Sequence, residues 1–494
     1  MYLGLDLGTS ELKALLLADD HRIVGLARAP LDVSRPAPLW SEQDPAQWWE
    51  ALEAVMAELR RTQPAALSAV RAIGLSGQMH GAVAMDAQHR VLRPAILWND
   101  GRSAAQCRAL TAQVPRLAAI AGNLAMPGFT APKLLWMREH EPALFARIAH
   151  VLLPKDWLRF MLGGAFASDM SDASGTLWLD VGARDWSGEL LGVCGLARAQ
   201  MPRLVEGSAP AGQLRPELAQ RWGMAPNITI AGGGGDNAAS AVGMGLVEAG
   251  QGFVSLGTSG VIFVCTDRFE PRPEAAVHAF CHALPRRWHQ MSVMLSASSA
   301  ISWAARAFGL GDAAALLAAA ATVGDAGRRS APLFLPYLSG ERSPHNDADA
   351  QGVLFGLTHA HGPAEIAYAV AEGVSLGLRD GLDTLARPAG DLVLVGGGAR
   401  STWWAQLLAD VLETPLAICE GGEAGAALGA ARLAWLADGG PPAEVCRQPA
   451  VRQRFAPTIG PAIEVQRARH ARFRALYARL RPFFVASDAA PQED

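Results

Sequence analysis

The chain has 494 residues, half of them hydrophobic and 18% charged, with a formal net charge of −4. This is more than one hydrophobic core organises and too apolar for a disordered chain, so two large globular domains are expected. The slightly acidic balance offers no basic surface for nucleic acid or an anionic membrane.

The basic residues are almost all arginine; lysine stands only at Lys13, Lys133 and Lys155. No Gly-Lys dipeptide exists, which excludes a Walker A phosphate loop. The six cysteines are dispersed singly, with no Cys-x-x-Cys pair or zinc spacing, and read as reduced buried thiols. A strand-like run begins at once in place of a signal peptide, and apolar stretches are too short to span a bilayer, so a cytoplasmic protein is expected.

In chain order, the first element is an apolar run from Leu5, a Gly8-Thr9-Ser10 turn and a second apolar run to Leu16, which reads as a β-hairpin. Ala72 to Gly77 is an apolar strand ending in a glycine turn, and Ser76 to Gly81 forms the loop that follows. Trp98-Asn99-Asp100 closes another strand. Open α/β sheets bind ligands at such strand ends, so Gln78, Met79, His80, Trp98 and Asp100 are candidate carbohydrate contacts. A lone His or Trp is by itself more often structural.

Next, the strand from Ile228 runs into Gly232-Gly233-Gly234-Gly235 and then Asp236-Asn237, at the start of an Ala-rich helix. Four glycines allow close backbone approach to a ligand. The helix start is expected to keep Asp236 ionised, by about 0.3–1 kcal/mol. Glycines at 243, 245, 250 and 252 interrupt the pattern and mark the domain division, giving domains 1–245 and 246–494.

Half a chain after the first hairpin, Val254 to Phe263 repeats its pattern around Gly257-Thr258-Ser259. Leu392 to Gly398 echoes Ala72 to Gly77, so a duplicated α/β fold is expected. The echo breaks at Asp6, which corresponds to Ser255: one half supplies a carboxylate at its turn and the other does not. Pro363 to Leu385 has helical periodicity, opened by Pro363 and Glu365. Residues 324–329 and 439–442 read as surface loops, and the tail from Ala486 as frayed.

Gly-Thr-Ser hairpins can surround phosphate oxygens with N–H groups and hydroxyls, so Thr9, Ser10, Gly257, Thr258 and Ser259 are candidate ATP ligands. Gly397, Gly398 and Ala399 open a helix and suit the same nucleotide. Asp6 at the mouth of the first hairpin suits Mg²⁺, and Asp236 suits a general base. A dehydrogenase, with Glu420 as ribose ligand, would use the glycines at 396–398 but leaves the paired hairpins and Asp236 unexplained.

Several longer stretches are unusual. They are Trp40-Ser41-Glu42-Gln43-Asp44-Pro45 with Trp48-Trp49, Gly77-Gln78-Met79-His80-Gly81, Ile96 to Arg102, Pro127 to Lys133, Leu338 to His345, and Gly352 to Leu357. In this order they resemble the FGGY carbohydrate kinases, from Tyr2 to about Leu480. The resemblance implies α/β architecture with two duplicated actin/hexokinase-like (ribonuclease H-like) domains around a central cleft. The first domain would hold the sugar and the catalytic carboxylate, the second ATP. It further implies ATP-dependent phosphorylation of D-xylulose at its 5-hydroxyl, with ribulose, gluconate or glycerol as alternative acceptors.

By the same resemblance, Asp236 is the base; Asn237 beside it is a candidate sugar contact. Met79 and His80 contact the sugar, Asp6 lies near Mg²⁺, and Gly257, Thr258, Gly397 and Gly398 hold ATP. The partners are then a small sugar and ATP, with neither nucleic acid nor membrane, and a homodimer is left open. Glu11 departs from the family pattern after the Thr-Ser turn, and its side chain is expected to point away from the triphosphate. A sugar-independent, chaperone-like ATPase on the same core is the rival class, and it has no use for a base at Asp236.

Overall fold

A computed structural model describes residues 1–484. Its frame is two seven-stranded sheets of matching order. In the first, Tyr2–Leu7 lies at the centre. It pairs antiparallel with Glu11–Leu17, Asp6 opposite Lys13, and Glu11–Leu17 pairs antiparallel with Ile23–Pro30. On its other side come Ala72–Gly77 and Thr229–Ala231, both parallel, then Pro210–Gln213, antiparallel, while the short seventh strand Gly234–Gly235 pairs with the end of Ala72–Gly77.

The second sheet repeats this order around Gly252–Leu256. Gly260–Thr266 and Trp288–Met294 follow antiparallel on one side. Leu392–Val395 and Leu416–Cys419 run parallel on the other, and antiparallel Val451–Phe455 closes the edge. His278–Cys281 extends the second sheet beyond Trp288–Met294. Both expected hairpins and both echoed strands, Ala72–Gly77 and Leu392–Val395, are therefore present, in equivalent positions.

Every residue of Tyr2–Leu7 is buried, because helices cover both faces of its sheet. Leu3, Leu5 and Leu7 pack with Trp48, Leu52, Val55 and Met56 of the helix Pro45–Thr62. The opposite face, with Tyr2, meets the helix Gly425–Ala437, which belongs by sequence to the second half. Glycines permit that contact. A Cβ on Gly4 would lie 2.1 Å from the Ala427 carbonyl oxygen, and one on Gly74 1.9 Å from that of Ala430. A Cβ on Gly429 would lie 1.7 Å from the carbonyl of Ala239, on the helix Asp236–Gly243. Trp435 stacks on Tyr2 at 5.1 Å, and Arg71 pairs with Asp438 at 2.9 Å.

Two local expectations change, and a third is untested. Residues 325–330 form a short helix, Asp325–Ser330, in place of a loop. The helix opened by Pro363 ends at Leu382; its start is capped by Glu365, whose carboxylate accepts the Gly362 N–H at 2.9 Å. The tail from Ala486 lies outside the described residues. Among the described residues, no helix is long and apolar enough to cross a membrane, and all six cysteines are free and buried.

Candidate active site

The carboxyl ends of the central strands of both sheets meet at a cleft. Asp6, Lys13 and Ser240 from the first half share a cavity of about 230 Å³ with Ser255, Val395 and Gly396 from the second. The residues that break the sequence echo, Asp6 and Ser255, thus line one chamber. Gly425 and Ala426, at the start of the helix that docks on the first sheet, complete its wall.

A larger cavity of about 690 Å³ lies in the second half. Gly257 and Thr258 of the second hairpin line it together with Gly397 and Gly398, while Ile301, Leu317, Ala318 and Trp403 give it an apolar wall. This combination suits a nucleotide: an apolar slot for a flat base, and backbone donors at a helix start for phosphate. Ser401 caps that helix, Thr402–Leu412, by accepting the Trp404 N–H at 3.3 Å. Ala399 does not share the slot; it packs against the core of the second half. Ser259 closes its turn, where its carbonyl accepts the Gly257 N–H at 3.1 Å.

Asp236 begins the helix Asp236–Gly243, as expected. Its Oδ1 accepts the Asn237 backbone N–H at 2.7 Å and the Asn237 side-chain amide at 2.9 Å, while Oδ2 accepts no hydrogen bond from the described residues. The helix start does not hold its pKa down. Burial, and then the negative charge of Asp6, push it up to about 6. Asp6 itself is raised by burial, opposed by the charge of Lys13. Removing carboxylates from water thus outweighs a helix terminus worth under about 1 kcal/mol.

The glycine run serves packing more than ligand approach. A Cβ on Gly232 would meet the Glu206 carbonyl at 2.3 Å, and one on Gly233, at φ +78°, the Leu75 carbonyl at 2.2 Å. A Cβ on Gly235 would meet Met79 Cγ and Sδ at 2.9 Å, so Met79 lies directly beside the residue that precedes Asp236. His80 Nδ1 stands 2.7 Å from the Gly175 carbonyl oxygen. A carbonyl only accepts, so Nδ1 carries the proton and Nε2 keeps a free lone pair. Burial holds the His80 pKa down to about 3, so the ring is neutral.

Gln78 is buried in a polar chain. It donates to Gln43 Oε1 at 2.9 Å and accepts the Thr9 hydroxyl at 3.2 Å, while Thr9 accepts the Trp98 indole N–H at 3.0 Å. Thr9 is therefore tied toward Trp98 and Gln78, whereas Ser10 stands exposed at the hairpin tip. The indole of Trp98 is 42% exposed and offers a flat apolar face. Glu11 is neutralised by Lys13 at 3.1 Å and Arg28 at 3.6 Å.

Two comparisons decide the family. The model of the FGGY family of carbohydrate kinases, N-terminal domain, matches residues 1–243, and that of its C-terminal domain matches residues 252–437. The chain is 56% identical over 442 residues to the xylulose kinase of Escherichia coli strain K12, covering 88% of this chain and 90% of that protein. The chain belongs to the FGGY family of carbohydrate kinases.

Among solved structures, this FGGY kinase superposes on a kinase of Brucella ovis with a TM-score of 0.94 at 49% identity, covering 98% and 99% of the two chains. The xylulose kinase of Rhodospirillum rubrum gives 0.89 at 29% identity, with the same coverage. The two-domain actin/hexokinase-like fold expected from the sequence is thereby shown.

One residue assigned to the sugar takes a different place. The Asp100 carboxylate is fully enclosed and accepts from Ser41 N at 2.6 Å, Arg102 N at 3.0 Å, Arg102 Nε at 2.9 Å and Arg102 Nη2 at 2.6 Å. With both oxygens taken, Asp100 braces the loop that carries Trp98. Arg102, two residues on, was the available signal.

A second group escaped sequence reading. Lys155 Nζ lies fully buried among Asp156 at 2.7 Å, Asp169 at 2.6 Å and Asp172 at 2.9 Å, with Arg159 on Asp156 at 2.8 Å. The cluster sits directly behind the glycine run. Arg159 donates to the Gly232 carbonyl, and Ser171, which bonds Asp169, accepts the Gly235 N–H at 3.0 Å. Three carboxylates share two cations, and burial pushes the Asp172 pKa well above its ordinary value.

Proposed function

We propose that this kinase transfers the γ-phosphate of ATP to the 5-hydroxyl of D-xylulose. The observation that supports it most is the position of Asp236: a carboxylate with one unpartnered oxygen, beside Met79 at the head of a helix whose Ser240 lines the chamber between Asp6 and Ser255. At a pKa of about 6 it is ionised at neutral pH and basic enough to take a proton. As the sugar O5 attacks, its proton passes to Asp236, the O5–Pγ bond forms, and the bond from Pγ to the ADP oxygen breaks.

Asn237 holds the carboxylate by two hydrogen bonds, and His80 Nε2 is free to accept from a sugar hydroxyl. Met79 and Trp98 supply apolar surface for the carbon chain. Gly257, Thr258, Gly397 and Gly398 would hold ATP along the larger cavity, with Ser10 at the facing hairpin tip. Asp6, buried but open to the shared chamber and near Lys13, suits a magnesium ion held through water, whose charge would offset that of the triphosphate. Closure of the cleft would exclude water as a competing acceptor.

The test is ADP release with ketoses, aldoses and polyols. D-Xylulose should give the largest stimulation. A larger response to ribulose, gluconate or glycerol, or ATP hydrolysis indifferent to any sugar, overturns the assignment.

A further inference from the structure

The loop Leu338–His345 comes from the second half and is fastened to its sheet. Glu341 Oε1 accepts the Leu295 N–H at 2.9 Å, Ser343 N donates to the Val293 carbonyl at 3.1 Å, and the Ser343 hydroxyl donates to the Ala276 carbonyl at 2.8 Å. On this rigid mount, the Arg342 side chain makes one hydrogen bond among the described residues, from Nη1 to His278 Nε2 at 3.4 Å. Among the described residues no carboxylate pairs with its guanidinium, although burial lowers its pKa from the ordinary arginine value.

The contact it does make is built in. Asn123 donates its amide to the carbonyls of Ala121 at 2.8 Å and Ala279 at 3.1 Å, so its Oδ1, 2.8 Å from His278 Nδ1, acts as acceptor. His278 thus carries its proton on Nδ1 and presents the Nε2 lone pair to Arg342. His278 packs on Phe129, which also packs on His80, and the charge of Arg342 is felt at His80. A guanidinium from the second half therefore sits on His278, one aromatic ring away from the sugar-side histidine of the first, with N–H donors beyond the one given to His278.

Resting on the ketopentose reading, chemistry says what those donors meet. A ketopentose closes its furanose ring through O5, so a molecule whose 5-hydroxyl is free to take phosphate is open-chain and displays a C2 carbonyl. We infer that Arg342 binds that carbonyl oxygen, making it the specificity residue that the second half contributes to the sugar pocket. A forked, permanently charged donor suits an acceptor with no proton of its own. It also binds the sugar to both halves at once.

The experiment compares xylulose with 2-deoxyxylitol, added as a competitor or alternative acceptor that keeps the chain and terminal hydroxyl but lacks oxygen at C2. Arg342→Met should raise the xylulose KM by roughly 10- to 100-fold while changing the inhibition constant of 2-deoxyxylitol by less than about threefold. Arg342→Lys should recover part of the loss, and nucleotide affinity should not move. Equal losses for both compounds, or none for xylulose, overturn the role of Arg342. Should Arg342→Met not fold, the wild type decides: binding xylulose no better than 2-deoxyxylitol overturns the role. A wild type inactive on every ketopentose sinks the functional reading and this inference together.

Discussion

The negative charge of Asp6 raises the proton affinity of Asp236, second only to burial itself. The two carboxylates stand on separate elements, one on the first strand and one at the head of the helix Asp236–Gly243. Asp236 is harder to ionise because Asp6 is there, whereas Asp6 is raised first by its own burial, with Glu11 adding to it.

Asp236 should set an acid limb in kcat/KM. Activity falls as pH drops through about 6, because the protonated carboxyl accepts nothing. Asp236→Asn should cut turnover by roughly 10²- to 10⁴-fold. The stability effect has the opposite sign. The folded pKa lies above the unfolded value, so the ionised carboxylate penalises the fold above pH 6, and the penalty fades as pH falls toward 4. Asp236→Asn should therefore melt higher than wild type at pH 8, by on the order of 1–3 kcal/mol, and lose that advantage near pH 4. A flat pH profile down to 5 would remove Asp236 from the proton transfer.

Asp6→Asn removes the neighbouring charge. The acid limb should move below that of the wild type, and more magnesium should be needed for half-maximal ADP release. Excess EDTA should halt the wild type. An unmoved acid limb in Asp6→Asn would show that the two carboxylates do not interact.

Lys155→Met should destabilise the protein by roughly 3–5 kcal/mol, because three buried carboxylates lose their shared cation. Adding Asp172→Asn should return part of that loss, since burial raises the Asp172 pKa well above its ordinary value. Urea unfolding measures both, and a second substitution that deepens the loss would contradict a cluster short of positive charge.

Gly429→Ala places a Cβ 1.7 Å from the Ala239 carbonyl oxygen, backbone against backbone, with no flexible side chain to give way. A loss of more than about 2 kcal/mol is expected. Gly192→Ala, where nothing lies within 4 Å, is the control and should be neutral or slightly stabilising. Equal melting temperatures for the two variants would mean the helix contact is loose.

The duplicated hairpins were legible because their signal is local: apolar strands about a glycine turn, with Asp6 and Ser255 marking where the copies part. The helix start at Asp236 was legible for the same reason, since a glycine run and a helix start are neighbours in sequence. The ionic cluster was not, because Lys155, Asp169 and Asp172 approach only after intervening helices fold back. Asp100 misled because its partner Arg102 determines its role, and a carboxylate looks alike in sequence whether closed or open. The docking of Gly425–Ala437 onto the opposite half leaves no local mark: Gly4 and Gly74 look like ordinary strand glycines until the helix that needs them is in view.

That docking has a consequence for how the chain comes off the ribosome. The strands headed by Tyr2 and Ala72 are synthesised early, yet the helix that covers one of their faces is completed only at Ala437. Until then the nascent first half carries a bare strip of apolar sheet, open to chaperones or to mispairing. A fragment ending near residue 245 inherits the same unfinished surface, so expressing it without the second half will give an insoluble product.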